Sequence, residues 1–226
     1  MKKFTLIFIL IFYPIKSIAH MSHYADFNQI EMEIFRNGKL VGYNYYFFSK
    51  KGDETIVSNQ IKFSIKILGS NIFEVEGYGE EKYIKDQLIS FDSRTLQNKK
   101  EKFVNLVFNQ KEKKYDIIGS SFKGQASIEN IIGNWWNHKI LQTQSQISPV
   151  SGSIKKQVVT FIGDKKITLY GKVYDVKLFS LKSEDMSIPK DKRLDFNIWY
   201  DNKNFRIVKV SYSNMGHWEY RLKNIK

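Results

Sequence analysis

Four histidines, His20, His23, His138 and His217, and no cysteine make up the classical metal-binding inventory of this 226-residue chain. A structural zinc site needs several such ligands at short, fixed spacings. No pair here has that spacing, so neither a metal site nor a cofactor is expected. One arrangement does carry metal chemistry: in a chain cut after Ala19, the free amine of His20 and the two rings of His20 and His23 would offer Cu(II) the nitrogen donors it favours. Exposed termini are usually disordered, and incidental histidines there are the simpler reading.

Carboxylates recur in alternating pairs, Glu31 with Glu33 and Glu74 with Glu76. Residues two apart on a strand share a face. Each pair could therefore act as an acid and a base, but no convergent partner accompanies either, and a solvated outer face explains both. A serine nucleophile would want a Gly-x-Ser-x-Gly elbow, and phosphate binding a glycine-rich loop. Neither occurs, so no catalytic residue is assigned.

Aromatic residues supply the remaining signal, at 15% of the chain. Most suit the pleated, half-buried surface of a sheet and read as core. Trp135, Trp136 and Asn137 are the exception, and they are the candidate ligand-binding residues. Two adjacent indoles could close a concave apolar sheet over a cavity, with Trp136 shaping its mouth and the Asn137 amide orienting a polar headgroup.

The elements that must position these residues begin after a leader. Lys2 and Lys3 precede an apolar run from Phe4 to Tyr13, and Ser17-Ile18-Ala19 is a small-x-small cleavage motif. This is the pattern of a signal peptide over residues 1–19, with residues 20–226 forming one β-rich domain in the periplasm. The apolar run is well short of the roughly twenty residues that span a bilayer as a helix, and no stable membrane span is expected after cleavage. The formal charge of +13 falls to +10 without Lys2, Lys3 and Lys16, since the leader holds no acid. An exported basic chain meets anionic lipid, lipopolysaccharide and wall polymers, so no nucleic-acid partner is expected. Many lysines fall at alternate strand positions, as Lys62 and Lys66 do, and simply solvate an outer face.

Period-two alternation dominates the mature sequence. Ile30, Met32 and Ile34 alternate with Glu31 and Glu33, and Asn37-Gly38 is a tight-hairpin pair leading to Tyr43, Tyr45 and Phe47. Ile61, Phe63, Ile65 and Ile67 share a face before a turn at Gly69-Ser70-Asn71. Strands resume after a polar loop containing Pro149 and Gly152, a candidate boundary between two halves. Gly163-Asp164 is a second hairpin signal. Between the halves Ile128, Ile131, Ile132 and Trp135 lie at helical spacing with Ser127 as cap. The expected fold is mainly β, a large curved antiparallel sheet (incomplete barrel or sandwich) of roughly 11–12 strands with one short amphipathic helix near 127–137.

Several short motifs are spread from about Ile30 to Leu222: Asn37-Gly38-Lys39-Leu40-Val41-Gly42, Leu88-Ile89-Ser90-Phe91 followed by Ser93-Arg94-Thr95, Trp136-Asn137, Ser151-Gly152, and Trp199-Tyr200-Asp201. In this order they resemble an uncharacterised family of exported, β-rich bacterial proteins known as a domain of unknown function. The resemblance implies a half barrel like that of periplasmic lipoprotein carriers, an antiparallel sheet wrapped around helices. It carries no catalytic residue onto this chain. The sequence departs from the pattern at Trp135 beside Trp136 and at Lys85-Asp86-Gln87, where a glycine turn is expected.

The leading functional expectation is a periplasmic module that binds or carries a hydrophobic or amphipathic envelope molecule, with a lipid as partner. The alternative is an interaction protein that docks on an envelope protein through a sheet edge or its basic face. A hydrolase is a distant third.

Overall fold

In the computed structural model, which describes residues 24, 26–67 and 70–226, the alternating segments form a single sheet of fifteen strands. Its first half comprises β1 (Gln29–Arg36), β2 (Lys39–Lys51), β3 (Glu54–Ile67), β4 (Ser70–Ile84), β5 (Gln87–Gln97), β6 (Lys100–Asn109), β7 (Lys114–Gly119) and β8 (Phe122–Ser127). The second half comprises β9 (Ile131–Ile132), β10 (Ser145–Ile147), β11 (Ile154–Leu169), β12 (Lys172–Ser183), β13 (Asp195–Asp201), β14 (Ile207–Ser213) and β15 (His217–Ile225). β1 joins the halves by pairing with β2 on one side and β15 on the other, which leaves β8 and β9 at the two ends of the sheet. All neighbours are antiparallel except β9 and β10.

This order dictates the shape. Laid flat, fifteen strands at the usual spacing of ~4.8 Å would put β8 and β9 about 65 Å apart. Yet only residues 128–130 connect Ser127 to Ile131, and four Cα steps reach at most about 14 Å. The sheet must therefore curl until its ends nearly meet. No ladder joins them, so it stays open.

The inner rows of the curled sheet make the core. Ile30, Met32 and Ile34 of β1 are fully buried and join Val104, Leu106, Ile198 and Val210 in one cluster. Their alternate neighbours face out. Glu31 meets Lys226 at 2.5 Å, and Glu33 meets Lys223 at 3.3 Å and accepts from the Tyr170 hydroxyl at 2.5 Å. Glu76 pairs with Lys62 at 2.9 Å in solvent. These carboxylates sit in ion pairs on the outer face. Burial pushes the Glu219 carboxyl up, but hydrogen bonds and charge from Lys209 and Arg221 outweigh it and hold the group at about 2.

The Asn37-Gly38 hairpin forms as the sequence suggests, with φ of 49° and 78°. At Gly163 the outcome differs. β11 runs straight through it as a bulge between Phe161 and Gly163, and the turn comes at Tyr170-Gly171, where φ is 49° and 80°. The inserted residue bends this long hairpin, and its end folds against the outer face. There Leu169, Val176 and Val208 form a second small core with Trp199, whose neighbours Ile198 and Tyr200 point to the main one.

The helix expected near 127–137 is absent. Ile131 and Ile132 pair in parallel with Gln146 and Ile147, and a four-residue 3-10 turn, His138–Leu141, follows later. Its cap is Asn137, whose side-chain oxygen accepts from Lys139 N at 3.1 Å, whereas Ser127 ends β8. The helical spacing is real but short, and Gly133, Asn130 and Asn134 interrupt it with poor helix formers. The strand estimate also fell short of fifteen because β9 and β10 are too brief to show a period. No helix among the described residues is long and apolar enough to cross a membrane. The leader, its cleavage point, His20 and His23, and the turn at Gly69 lie outside the described residues, as does the Ile67 side chain.

The inner and outer rows should respond differently to truncation. Met32→Ala should lower stability to urea by about 2–5 kcal/mol through the cavity it leaves. Lys62→Ala should leave stability nearly unchanged, because its ion pair is exposed. Equal losses in chemical denaturation would contradict this assignment of faces.

Candidate functional site

Between β9 and β10 the chain crosses the hollow of the sheet as a strap, and Trp135, Trp136 and Asn137 are its centre. β4 supplies the anchor. Its inner row reads Val75, Gly77, Gly79, Glu81 and Tyr83, so a carboxylate stands where a core side chain is due. Glu81 is buried, and three donors converge on it. Asn134 Nδ2 lies at 2.6 Å and Trp136 Nε1 at 2.9 Å from its Oε1, while the Tyr83 hydroxyl donates to Oε2 at 2.5 Å. Burial raises the Glu81 pKa, opposed by the hydrogen bonds of Tyr83, Trp136 and Asn134.

Tyrosines hold the strap's backbone from other directions. The Tyr24 hydroxyl donates to Trp136 O at 2.6 Å and lies 3.1 Å from His138 Nδ1. The Tyr200 hydroxyl donates to Trp135 O at 2.7 Å. The Tyr46 hydroxyl, on β2, hydrogen-bonds the Trp135 backbone and receives Asn44 Nδ2 at 3.0 Å. Burial raises the pKa of each of these phenols, and Tyr24 and Tyr200 stay protonated as donors. The strap is thereby tied to β2, β4 and β13, on both halves of the curled sheet.

The three sequence-predicted residues divide between two roles. Trp136 is fully buried, edge-on to Tyr24, Phe48 and Tyr83 at 5.0, 5.4 and 6.0 Å between ring centroids. Asn137 is buried as well and caps the 3-10 turn. Trp135 alone of the three lines the main cleft, a space of about 260 Å³ inside the sheet, where it packs on Phe196 and Tyr220 at 5.5 and 4.8 Å. Asn137 borders a separate cleft of about 120 Å³ beside Tyr83 and Lys139.

Gly77 and Gly79 form part of the main cleft's wall, and their missing side chains leave room for it. A Cβ on Gly79 would stand 3.3 Å from the Phe91 ring, and one on Gly77 would stand 3.0 Å from an Ile61 methyl. Asn44 and Asn59 form a polar corner, with Asn59 Nδ2 donating to Asn44 Oδ1 at 2.7 Å. Lys155 also borders the space, its Nζ donating to Lys192 O at 2.9 Å. Sequence reasoning missed Glu81 and the glycines. The signal was present in Gly77-Tyr78-Gly79-Glu80-Glu81, since two glycines at alternate strand positions mark a place where something approaches the sheet closely. Among the described residues no group of three or more His, Asp and Glu is placed to hold a metal ion.

Comparison with known proteins agrees with this geometry at the level of fold. The family described as Domain of unknown function (DUF6134) matches residues 32–223. The chain belongs to this family. The match runs from the inner row of β1 to β15 and so takes in both halves of the sheet and the strap between them. No curated protein matches the chain. Among solved structures it is similar to a β-barrel-like protein of domain of unknown function DUF1849 from Brucella abortus. The TM-score is 0.61 at 9% identity, with 88% of this chain and 96% of that chain covered. A protein with a YmcC-like fold from Bacteroides fragilis matches over 88% of this chain and 95% of that chain, with a TM-score of 0.32 and 9% identity. At such identity the Brucella likeness is one of fold alone. It agrees with the expected half barrel, except that a strap fills the hollow where helices were expected.

The Glu81 network predicts a specific pH response. A carboxyl whose pKa is raised by folding favours the native state most at pH below its ordinary range. That contribution is lost as pH rises through the folded pKa. Glu81→Gln, which keeps an acceptor for Asn134 and Trp136, should leave stability nearly unchanged at low pH and flatten its decline at higher pH. Glu81→Ala strands three buried donors and should cost about 3–5 kcal/mol at any pH. Urea titrations of the three proteins across pH would check both, and identical behaviour of the two variants would contradict the network.

Proposed function

We propose that the chain is exported, loses residues 1–19, and serves in the periplasm as a binding or carrier protein for a hydrophobic or amphipathic envelope molecule seated in the main cleft. The observation that carries this reading is the cleft itself, opened by Gly77 and Gly79 in the middle of a long strand. A strand built only for stability would fill those inner positions with β-branched or aromatic side chains.

The lining supports an amphipathic occupant. Trp135, Phe196, Tyr220 and Phe91 offer apolar surface, and the Asn44–Asn59 corner and Ser93 offer hydrogen bonds to a head group. The volume of about 260 Å³ lies just below the roughly 300–1,000 Å³ typical of ligand sites. This favours a single acyl chain or a molecule of that size over a two-chain lipid. In this reading Trp135 touches the ligand, while Trp136 and Asn137 hold the strap that presents it.

Native mass spectrometry of protein gently purified from the periplasm, followed by extraction, tests the proposal. The wild type should carry an apolar or amphipathic molecule, and Trp135→Ala should retain about tenfold less, the loss of a stacked aromatic contact. Gly79→Val should remain folded but emerge empty, because valine fills the cleft, with a melting temperature lowered by crowding against the Phe91 ring. Wild-type protein at its bare mass, indifferent to added single-chain lipid, would refute the reading.

A further inference from the structure

The two ends of the sheet are finished differently. β8 is a six-residue edge of Phe-Lys-Gly-Gln-Ala-Ser, short and mostly polar, as protected edges are. β11 has sixteen residues, but β10 pairs only with Ile154, Lys155 and Lys156, and Gln157 N finds Gln144 O at 2.8 Å. From Val158 onward β11 bonds to β12 alone among the described residues. Along this open stretch Val158, Phe161 and Ile162 are each 51% exposed. An uncovered edge with half-exposed apolar side chains is a template for another strand.

Charge selects the occupant. The hairpin from Ile154 to Ser183 holds seven lysines against Asp164 and Asp175. Exposed Lys156, Lys165 and Lys166 flank the apolar stretch, Lys156 pairing with Glu184 at 3.5 Å and Lys166 with Asp175 at 3.1 Å. A second copy of this edge would bring the same lysines alongside, and the Phe161/Gly163 bulge would break its register. An acidic segment meets neither like charge nor a need for length beyond the run before the bulge. We propose that the Val158–Ile162 edge of β11 is a docking site for an extended polypeptide segment of another protein, apolar at alternate positions and flanked by carboxylates, which adds a strand to the sheet.

The probe is a synthetic peptide of alternating Val and Thr flanked by glutamates. Its binding is measured by fluorescence anisotropy, and hydrogen exchange locates it. It should protect the amides of Val159 and Phe161, which alternate with Gln157 toward the open side and are not bonded to β12. The combined Lys156→Glu, Lys165→Glu and Lys166→Glu variant should bind it at least about tenfold more weakly, through lost charge complementarity. The same peptide with proline at alternate positions cannot form a ladder and should not bind. Three results would each overturn the proposal. One is no binding. Another is equal binding of the proline peptide or of anionic phospholipid vesicles without edge protection, which would mark a general polyanion surface. The third is concentration-dependent dimerisation in sedimentation with the same amides protected in the absence of peptide.

Discussion

Three residues between Ser127 and Ile131 constrain everything else in this molecule. They join strands that hydrogen bonding places at opposite ends of a fifteen-stranded sheet, so the sheet can form only by rolling up. Rolling creates an inside and an outside, and every strand must then present one row to each. β1 shows the result, with Ile30, Met32 and Ile34 buried and Glu31 and Glu33 paired with lysines outside. An edge-to-edge ladder would have closed the barrel. The chain instead spends residues 133–144 on a strap through the hollow.

That strap poses an electrostatic problem, since backbone carbonyls and an indole N–H enter a space lined by apolar rows. Buried polar groups are tolerated only when paired. Here Glu81 and Tyr83 of β4, Tyr46 of β2, Tyr200 of β13 and Tyr24 ahead of β1 meet that need. Burying a carboxyl is costly by itself, and three donors offset the cost only while the strap stays in register. The same network fixes where Trp135 stands, and with it one wall of the cleft. Position in the fold and shape of the cleft are therefore one property.

Membership in the DUF6134 family and the likeness to the Brucella β-barrel-like protein describe this scaffold. On this scaffold the chain carries a glycine pair opposite an aromatic wall on the inside, and a lysine-rich hairpin with an edge that no described strand pairs.

Much of this was legible in the residues. Alternation gave the inner row of β1 correctly, whereas in β2, where both rows carry aromatic residues, the buried row is Asn44, Tyr46 and Phe48 rather than Tyr43, Tyr45 and Phe47. It identified the strands themselves because a period of two is a local property that a strand expresses wherever it pairs. Asn37-Gly38 announced its hairpin for the same reason, since the turn needs only its own two residues. Trp135, Trp136 and Asn137 were singled out as aromatic and amide residues, but their roles were not readable, because burial and partners come from strands far away in sequence. The helix reading of 127–137 failed at that boundary: the spacing permitted a helix, and pairing with Gln146 and Ile147, together with the pull of Glu81, chose otherwise. Gly163 looked like a turn and became a bulge, because the register of β12 rather than the local dipeptide sets where β11 ends. The sequence by itself determined that the chain forms alternating strands and, where apolar and charged residues alternate as in β1, which row faces inward. Only the tertiary structure decided that Glu81 is buried, that the strap crosses the hollow, and that β11 keeps an open edge. Each of these depends on contacts between segments that no local pattern encodes.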